Sequence, residues 1–118
     1  MKGSNIIQEK SFELAIKTIE LVGYLQNVKK EYVISNQLLR AACSVGANVE
    51  EAIGGQSDKD FIAKISIAYK EAREANYWIR LLEASNILKN NDTNILLLKS
   101  TECCKILASI LVTLKSRK

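Results

Sequence analysis

The sequence predicts an all-α protein, an antiparallel up-down-up-down four-helix bundle that forms a single domain over residues 1–118. Proline is absent and glycine occurs only 5 times, so residues that interrupt helices are scarce. Hydrophobic residues make up 47% and charged residues 25% of the chain, a balance typical of globular proteins. Apolar residues also recur at spacings of three and four in successive segments, and the short polar connections between them favour antiparallel neighbours.

The first predicted helix lies between Asn5 and Lys29, and either Asn5 or Ser11 can cap its start. Its predicted buried stripe has helical spacing and is widened by further apolar residues on either side. The stripe comprises Phe12, Ala15, Ile19 and Val22, and the residues beside it are Leu14, Leu21, Leu25 and Val28.

Ser35 is predicted to cap the second helix, which Gly54 and Gly55 end. Its apolar face is rich in small residues, which favours a close helix crossing. This face comprises Leu38, Ala41, Ala42, Val45, Val49, Ala52 and Ile53.

The third helix is predicted to follow a Ser57 cap, with Asp58 and Asp60 near the positive end of its dipole. Its stripe is Phe61, Ile65, Ala68, Ala72, Ala75, Ile79 and Leu82. A new cap within residues 90–93 precedes the fourth helix, whose predicted stripe is Leu97, Cys104, Leu107, Leu111 and Leu114.

The fourth helix carries more apolar residues than one stripe requires. The surplus comprises Leu96, Leu98, Cys103, Ile106, Ile110 and Val112. A helix that is apolar nearly all round needs cover on more than one face, which a second copy of the chain can supply. The pattern therefore predicts self-association, and deep burial within one chain is the alternative.

A polar row follows the second helix beside its alanine face and comprises Gln37, Arg40, Ser44, Asn48 and Glu51. If the second and third helices are antiparallel about the glycine turn, Arg40 lies near Glu74, and we predict an ion pair there. The row can be a binding surface or a set of hydrogen bonds that fixes the helix register, and the second interpretation is favoured.

Arginines alternate with aromatic residues on one face of the third helix, at Tyr69, Arg73, Asn76, Tyr77 and Arg80, with Lys70 and Trp78 nearby. Arginine can hold phosphate while aromatic rings stack on unpaired bases, so this face is a candidate RNA-binding surface. The alternative is that the aromatic residues pack against another subunit, and Glu71, Glu74 and Glu83 dilute the positive charge. Further candidates for nucleic-acid binding are the C-terminal cations Lys115, Arg117 and Lys118, which a solvated helix end also explains.

Catalysis, cofactors and bound metal are not expected. Histidine is absent, which removes the commonest general base and metal ligand. The three cysteines include the neighbours Cys103 and Cys104 and show no C-x-x-C spacing, so buried free thiols are expected in place of disulfides. Neither a signal peptide nor a membrane span is predicted, so the expected location is the cytoplasm.

The stretch from Leu39 to Ala52, LRAACSVGANVEEA, resembles the signature of a bacterial four-helix bundle family. Its founding members are encoded in intervening sequences of large-subunit ribosomal RNA genes. The resemblance continues through residues 57–62 and 68–82 and, more loosely, residues 9–12. Arg40, Ser44, Asn48 and Glu51 match the signature, and the resemblance implies that these residues define the fold.

The resemblance also implies a homopentamer. The family looks related to accessory variability proteins of diversity-generating retroelements, which bind nucleic acid and a reverse transcriptase. We therefore expect a non-catalytic oligomer associated with RNA, and a reverse transcriptase is a possible protein partner. The alternative is a structural or adaptor protein that binds other proteins without nucleic acid.

Overall fold

Four α-helices account for most of the chain: α1 (Lys2–Asn27), α2 (Val33–Ile53), α3 (Asp58–Ala84) and α4 (Asn90–Ser116). The computed structural model describes the backbone of residues 2–116 and the side chains of residues 6–116. No strand occurs within that range, so the predicted all-helical bundle is confirmed. The bundle measures 48 × 20 × 20 Å.

Each helix packs against its neighbours in the chain, and α1 also packs against α4, which closes the bundle. The contacts between α1 and α2 join Gln8 to Glu50 at one end and Gln26 to Asn36 at the other. Polar contacts also connect α3 with α4 and α4 with α1. These are Asn76 to Ser100, Glu83 to Thr93, Lys99 to Glu13, and Lys10 to Glu102.

The predicted central stripe of α1 is wrong, although Leu14 and Leu25, predicted beside that stripe, are buried. Phe12 and Ile19 are 67% and 54% exposed, and only Val22 of the predicted stripe is buried. The face that enters the core comprises Ile7, Ser11, Leu14, Thr18, Val22 and Leu25. Ser11 and Thr18 interrupt its apolar pattern, so a search for apolar periodicity alone selects the neighbouring face. Neither predicted cap starts the helix, because Asn5 and Ser11 both lie inside α1.

The start of α2 also differs from the prediction, because Ser35 lies inside the helix and is buried. The side chain of Glu31 performs the capping: its carboxylate accepts hydrogen bonds from the backbone N–H groups of Ile34, at 2.9 Å, and Ser35, at 2.7 Å. These bonds satisfy two of the amide groups that a helix start leaves without partners. The predicted core residues of α2 are buried except Ile53, which is exposed.

The prediction for α3 is confirmed in both its cap and its buried face. Ser57 accepts a hydrogen bond from the Asp60 N–H at 3.1 Å, and the helix begins at Asp58. Phe61 is half-buried, and the other predicted stripe residues, Ile65, Ala68, Ala72, Ala75, Ile79 and Leu82, are buried. The buried alanines of α2 and α3 give this helix pair a small-residue interface, as predicted.

The chain itself covers most of the apolar surface of α4. Leu107 and Leu111 of the predicted stripe are buried, and three of the supposed surplus residues are buried as well: Leu96, Cys103 and Ile110. Leu98 and Val112 remain 61% and 69% exposed. The exposed apolar surface of α4 is therefore much smaller than the sequence predicted. The core face of this helix lies about one residue away from the predicted stripe. A larger exposed apolar surface lies on α1.

No helix in residues 2–116 combines the length and apolarity needed to cross a bilayer. In the same range, no cluster of acidic, histidine or cysteine side chains has the arrangement of a metal site.

Candidate nucleic-acid interface

Helix α3 presents a row of basic and aromatic side chains on the side away from the core. Its alanines at positions 68, 72 and 75 face inward, so residues one or two positions further along the chain point toward solvent. Lys70, Arg73, Tyr77 and Arg80 are exposed there, and Tyr69 is half-buried. The structure thus brings together all the candidate residues that the sequence identified on α3.

Helix α4 adds a second wall to this surface. Tyr69, Arg73, Asn76 and Arg80 of α3 face Thr101, Cys104 and Lys105 of α4 across a groove of about 240 Å³, here called the α3–α4 groove. A second depression of about 410 Å³ continues over the outer side of α3, past Lys70, Glu74 and Tyr77. Lys105 was not among the residues predicted from the sequence. The antiparallel register that pairs Arg40 with Glu74, when extended to α3 and α4, also brings Lys105 opposite α3.

Each arginine of the groove lies over a tyrosine of the same helix. The guanidinium carbon of Arg73 is 5.8 Å from the centre of the Tyr69 ring, and that of Arg80 is 5.8 Å from the centre of the Tyr77 ring. Both distances permit cation–π attraction. Tyr77 also makes an edge-to-face contact with Trp78, with the ring centres 5.1 Å apart. These contacts hold cationic and aromatic groups side by side on a rigid helix.

Asn76 connects the two walls of the groove. Its Oδ1 accepts a hydrogen bond from Arg80 Nε at 2.9 Å. Its Nδ2 donates to Ser100 Oγ at 2.9 Å and Thr101 Oγ1 at 3.3 Å, both on α4. The position of Arg80 is therefore tied to the packing of α3 against α4.

The acidic residues that dilute the positive charge in sequence are engaged elsewhere. Arg40 of α2 forms salt bridges with both Glu71, at 3.1 Å, and Glu74. Glu74 also accepts a hydrogen bond from the Trp78 indole at 3.0 Å. The third carboxylate, that of Glu83, accepts from the Thr93 hydroxyl. The predicted ion pair between Arg40 and Glu74 is thus present.

The cations of the groove and of the neighbouring depression have no such carboxylate partners among the described residues. Among the described residues, none of Lys70, Arg73, Arg80 and Lys105 forms a salt bridge. The surface made by these cations with Tyr69 and Tyr77 is called the basic–aromatic surface below. It combines cations without salt-bridge partners with the exposed ring of Tyr77 and the half-buried ring of Tyr69. Cations and aromatic rings are the groups that contact phosphates and unpaired bases.

Lys115, the one C-terminal candidate within the described residues, does not join this cluster. Lys115 is exposed in the last turn of α4, ten residues beyond Lys105 and therefore about 15 Å further along the helix. Arg117 and Lys118 lie outside the described residues. The structure thus separates Lys115 from the arginines of α3.

The polar row of α2 contacts its own helix and α3. Asn48 Nδ2 donates to the Ser44 carbonyl at 2.8 Å and to the Ser44 hydroxyl at 3.0 Å. Glu51 forms a salt bridge with Lys64 of α3 at 2.8 Å. With the Arg40 salt bridges, these contacts favour the interpretation that the row fixes the position of α2 against α3.

The three cysteines are free thiols, of which Cys103 is buried as predicted, whereas Cys43 and Cys104 are only half-buried. Burial raises the pKa of Cys103 to about 12, and burial also raises the pKa values of Cys43 and Cys104. Arg73 opposes this effect at Cys104, which lines the α3–α4 groove. A thiolate is the reactive form of cysteine, so these shifts disfavour nucleophilic chemistry at neutral pH.

Comparison with known proteins identifies the family to which the chain belongs. Residues 4–109 match the model of a family described as 23S rRNA-intervening sequence protein. A crystal structure of a protein of unknown function from the S23 ribosomal protein family of Bacteroides thetaiotaomicron is 40% identical in sequence. The two structures agree with a TM-score of 0.89 over 92% of this chain and 97% of that one. No curated protein matches the chain. The match covers nearly the whole sequence, and the chain belongs to the 23S rRNA-intervening sequence protein family.

Proposed function

We propose that this chain is a non-catalytic cytoplasmic protein that associates with RNA through the basic–aromatic surface. The observation that carries the proposal is the concentration of unpaired cations around Tyr69 and Tyr77, while the neighbouring Glu71 and Glu74 form salt bridges with Arg40. Cations without acidic partners are free to contact phosphate, and exposed rings can stack on bases.

The family adds independent support, because its description refers to sequences that interrupt 23S ribosomal RNA. The name of the Bacteroides relative refers to a ribosomal protein family. The sequence carries a formal net charge of +4, which also favours an anionic partner. No histidine is available as a general base, which supports a role in binding instead of catalysis.

The test is an RNA titration of the full chain at about 50 mM and about 200 mM salt, because phosphate contacts make binding strongly salt-dependent. The variant Arg73→Gln/Lys105→Gln should bind RNA more weakly. It should also reduce the slope of log binding constant against log salt concentration by about 2, since each phosphate contact contributes about 1 to that slope. The matched control is Lys17→Gln/Lys29→Gln, which removes the same charge from α1 and the following turn. Equal losses in both variants would contradict the assignment of the surface.

We also propose that the helices run antiparallel in up-down-up-down order. The cross-helix contacts support this order, because Gln8 and Gln26 at opposite ends of α1 contact residues in the reverse order along α2. Contacts of Glu13 with Lys99 and of Lys10 with Glu102 support the same arrangement for α1 and α4.

Self-association into a homopentamer is part of the proposal, and the exposed apolar surface of α1 supports it. Phe12, Ile16 and Ile19 are 67%, 44% and 54% exposed and form a strip at helical spacing. Phe12 and Ala15 border a groove of about 370 Å³ against Cys43, Gly46 and Ala47 of α2. An exposed apolar patch of this kind is typical of a protein interface. The strip replaces α4 as the main apolar surface available to another copy.

Light scattering of Phe12→Glu tests the interface. A charge placed in the strip should convert the oligomer to a monomer, whereas Val112→Glu, at an equally exposed position on α4, should leave the subunit count unchanged. The reverse result would assign the interface to α4.

An adaptor that binds another protein without RNA is the alternative function, and the same apolar strip supports it. A reverse transcriptase is one such partner. In that case a protein partner recovered with the wild-type chain stays bound after nuclease treatment, and the RNA titration shows no salt-sensitive binding.

A further inference from the structure

The side chains of the α3–α4 groove differ in whether their hydrogen-bonding groups are free to contact a ligand. An asparagine amide reads a base edge by donating and accepting at once, as it does with adenine. Asn76 is the groove's only amide side chain among the described residues, and both ends of its amide already have partners. Its Oδ1 accepts from Arg80, and its Nδ2 donates to Ser100 and Thr101. The groove therefore has no free amide with which to read adenine in this way.

Cationic groups and ring faces remain available. Arg73 and Lys105 form no salt bridge with any described residue, and Arg80 uses only its Nε in the bond to Asn76. Tyr77 is 47% exposed, although Arg80 lies over its ring at 5.8 Å. Phosphate contacts and stacking do not depend on base identity, because every nucleotide has a phosphate and every base has a flat face.

Stacking on tyrosine requires a base that is not already stacked in a duplex. In double-stranded RNA the bases are covered by their neighbours, and proteins contact mainly the riboses and phosphates. Tyr69 and Tyr77 are separated by eight residues, which corresponds to about 12 Å along α3. The two rings are thus placed along a cationic track that is suited to a few successive unpaired nucleotides.

We infer that the basic–aromatic surface binds single-stranded RNA by stacking and phosphate contact, with little dependence on base sequence. This inference rests on the proposed RNA association and specifies the class of RNA. A strand of mixed sequence and a homopolymer should bind alike, and a duplex should bind weakly.

The experiment measures fluorescence anisotropy of labelled RNAs of about 12 nucleotides with the full chain at low salt. The probes are oligo(U), oligo(A), a mixed unpaired strand and a perfect duplex. We expect the three single strands to bind within about threefold of one another and the duplex at least about tenfold more weakly. A marked preference for one single-stranded sequence, or equal binding of the duplex, would overturn the inference and leave the proposed RNA association intact. If none of the RNAs binds, both proposals are wrong.

Variants at position 77 test the stacking directly. Tyr77→Ala should weaken single-strand binding about tenfold, whereas Tyr77→Phe retains the ring and should bind like the wild type. Tyr32→Ala is the matched control, because Tyr32 is 50% exposed at the start of α2 and outside the groove. If Tyr77→Ala binds single strands as well as Tyr32→Ala does, stacking on this ring is excluded.

Discussion

Arg40 of α2 forms a salt bridge with Glu74 of α3, and Glu74 in turn accepts a hydrogen bond from the indole of Trp78. Arg40 also reaches Glu71, whose side chain is only 14% exposed. One guanidinium therefore contacts two carboxylates at the α2–α3 interface. Its loss leaves both of them without their cation.

Replacing Arg40 by Gln should lower the free energy of unfolding by about 1–2 kcal/mol, because charge-assisted hydrogen bonds to partly buried carboxylates are lost. Urea denaturation monitored by circular dichroism measures the change. The control is Lys17→Gln, which breaks an exposed pair with Glu20 and should cost less than about 0.5 kcal/mol. Equal effects would show that the Arg40 pair contributes no more than a surface pair.

Thr18→Val should stabilise the bundle. The Thr18 side chain is fully buried, and its hydroxyl has no hydrogen-bond partner among the described residues. Valine has nearly the same shape without the buried polar group, so we expect a gain of about 1 kcal/mol in the free energy of unfolding. The exposed Thr113→Val variant should stay within about 0.5 kcal/mol of the wild type. A loss of stability in Thr18→Val would indicate that the hydroxyl has a partner.

Gly23→Ala should also stabilise the protein, by about 1 kcal/mol, because alanine restricts the unfolded chain and favours the helix. A methyl group at position 23 meets no atom within 4 Å. Gly55→Ala provides the contrast, since its methyl group would lie 3.2 Å from the Ala52 carbonyl oxygen and 3.4 Å from that of Glu51. Thermal melts should therefore show a higher Tm for the first variant and no gain for the second.

The Cys103 thiol should make the stability fall at high pH. Burial raises its pKa from 9.0 to about 12, so the folded state holds the proton more tightly than the unfolded state. The resulting stabilisation is fully present below pH 9.0 and is lost as the pH rises toward 12. Denaturation of the wild type and Cys103→Ala across this range should show a smaller decline in the variant. An equal decline of stability with pH in both proteins would mean that Cys103 does not contribute to the pH dependence.

The apolar pattern of the sequence was sufficient to predict the buried face of α3 but was misleading for that of α1. The difference lies in the composition of the two core faces. The buried face of α3 is apolar from Ile65 to Leu82, so its period is visible. In α1, Ser11 takes a core position because its hydroxyl bonds back to the Gln8 carbonyl, which satisfies the polar group within the helix. Hydropathy alone cannot anticipate that bond.

The part of the candidate site on α3 was predictable from spacing along one helix, whereas the part on α4 requires the register between two helices. Spacing along α3 is enough to place Arg73, Tyr77 and Arg80 on a common surface. The contribution of Lys105 depends on the register between α3 and α4, which is set by packing and by the Asn76 contacts. The salt bridges of Glu71 and Glu74 with Arg40 likewise depend on how α2 lies against α3.

Asn76 holds Arg80 in place before any anion arrives, because one amide joins the guanidinium to two hydroxyl groups on the facing helix. An immobilised arginine has little rotamer entropy left to lose on binding, so more of each phosphate contact is retained as affinity. Asn76→Ala would free that side chain without removing a charge. The groove would then have the same electrostatic attraction but a larger ordering cost.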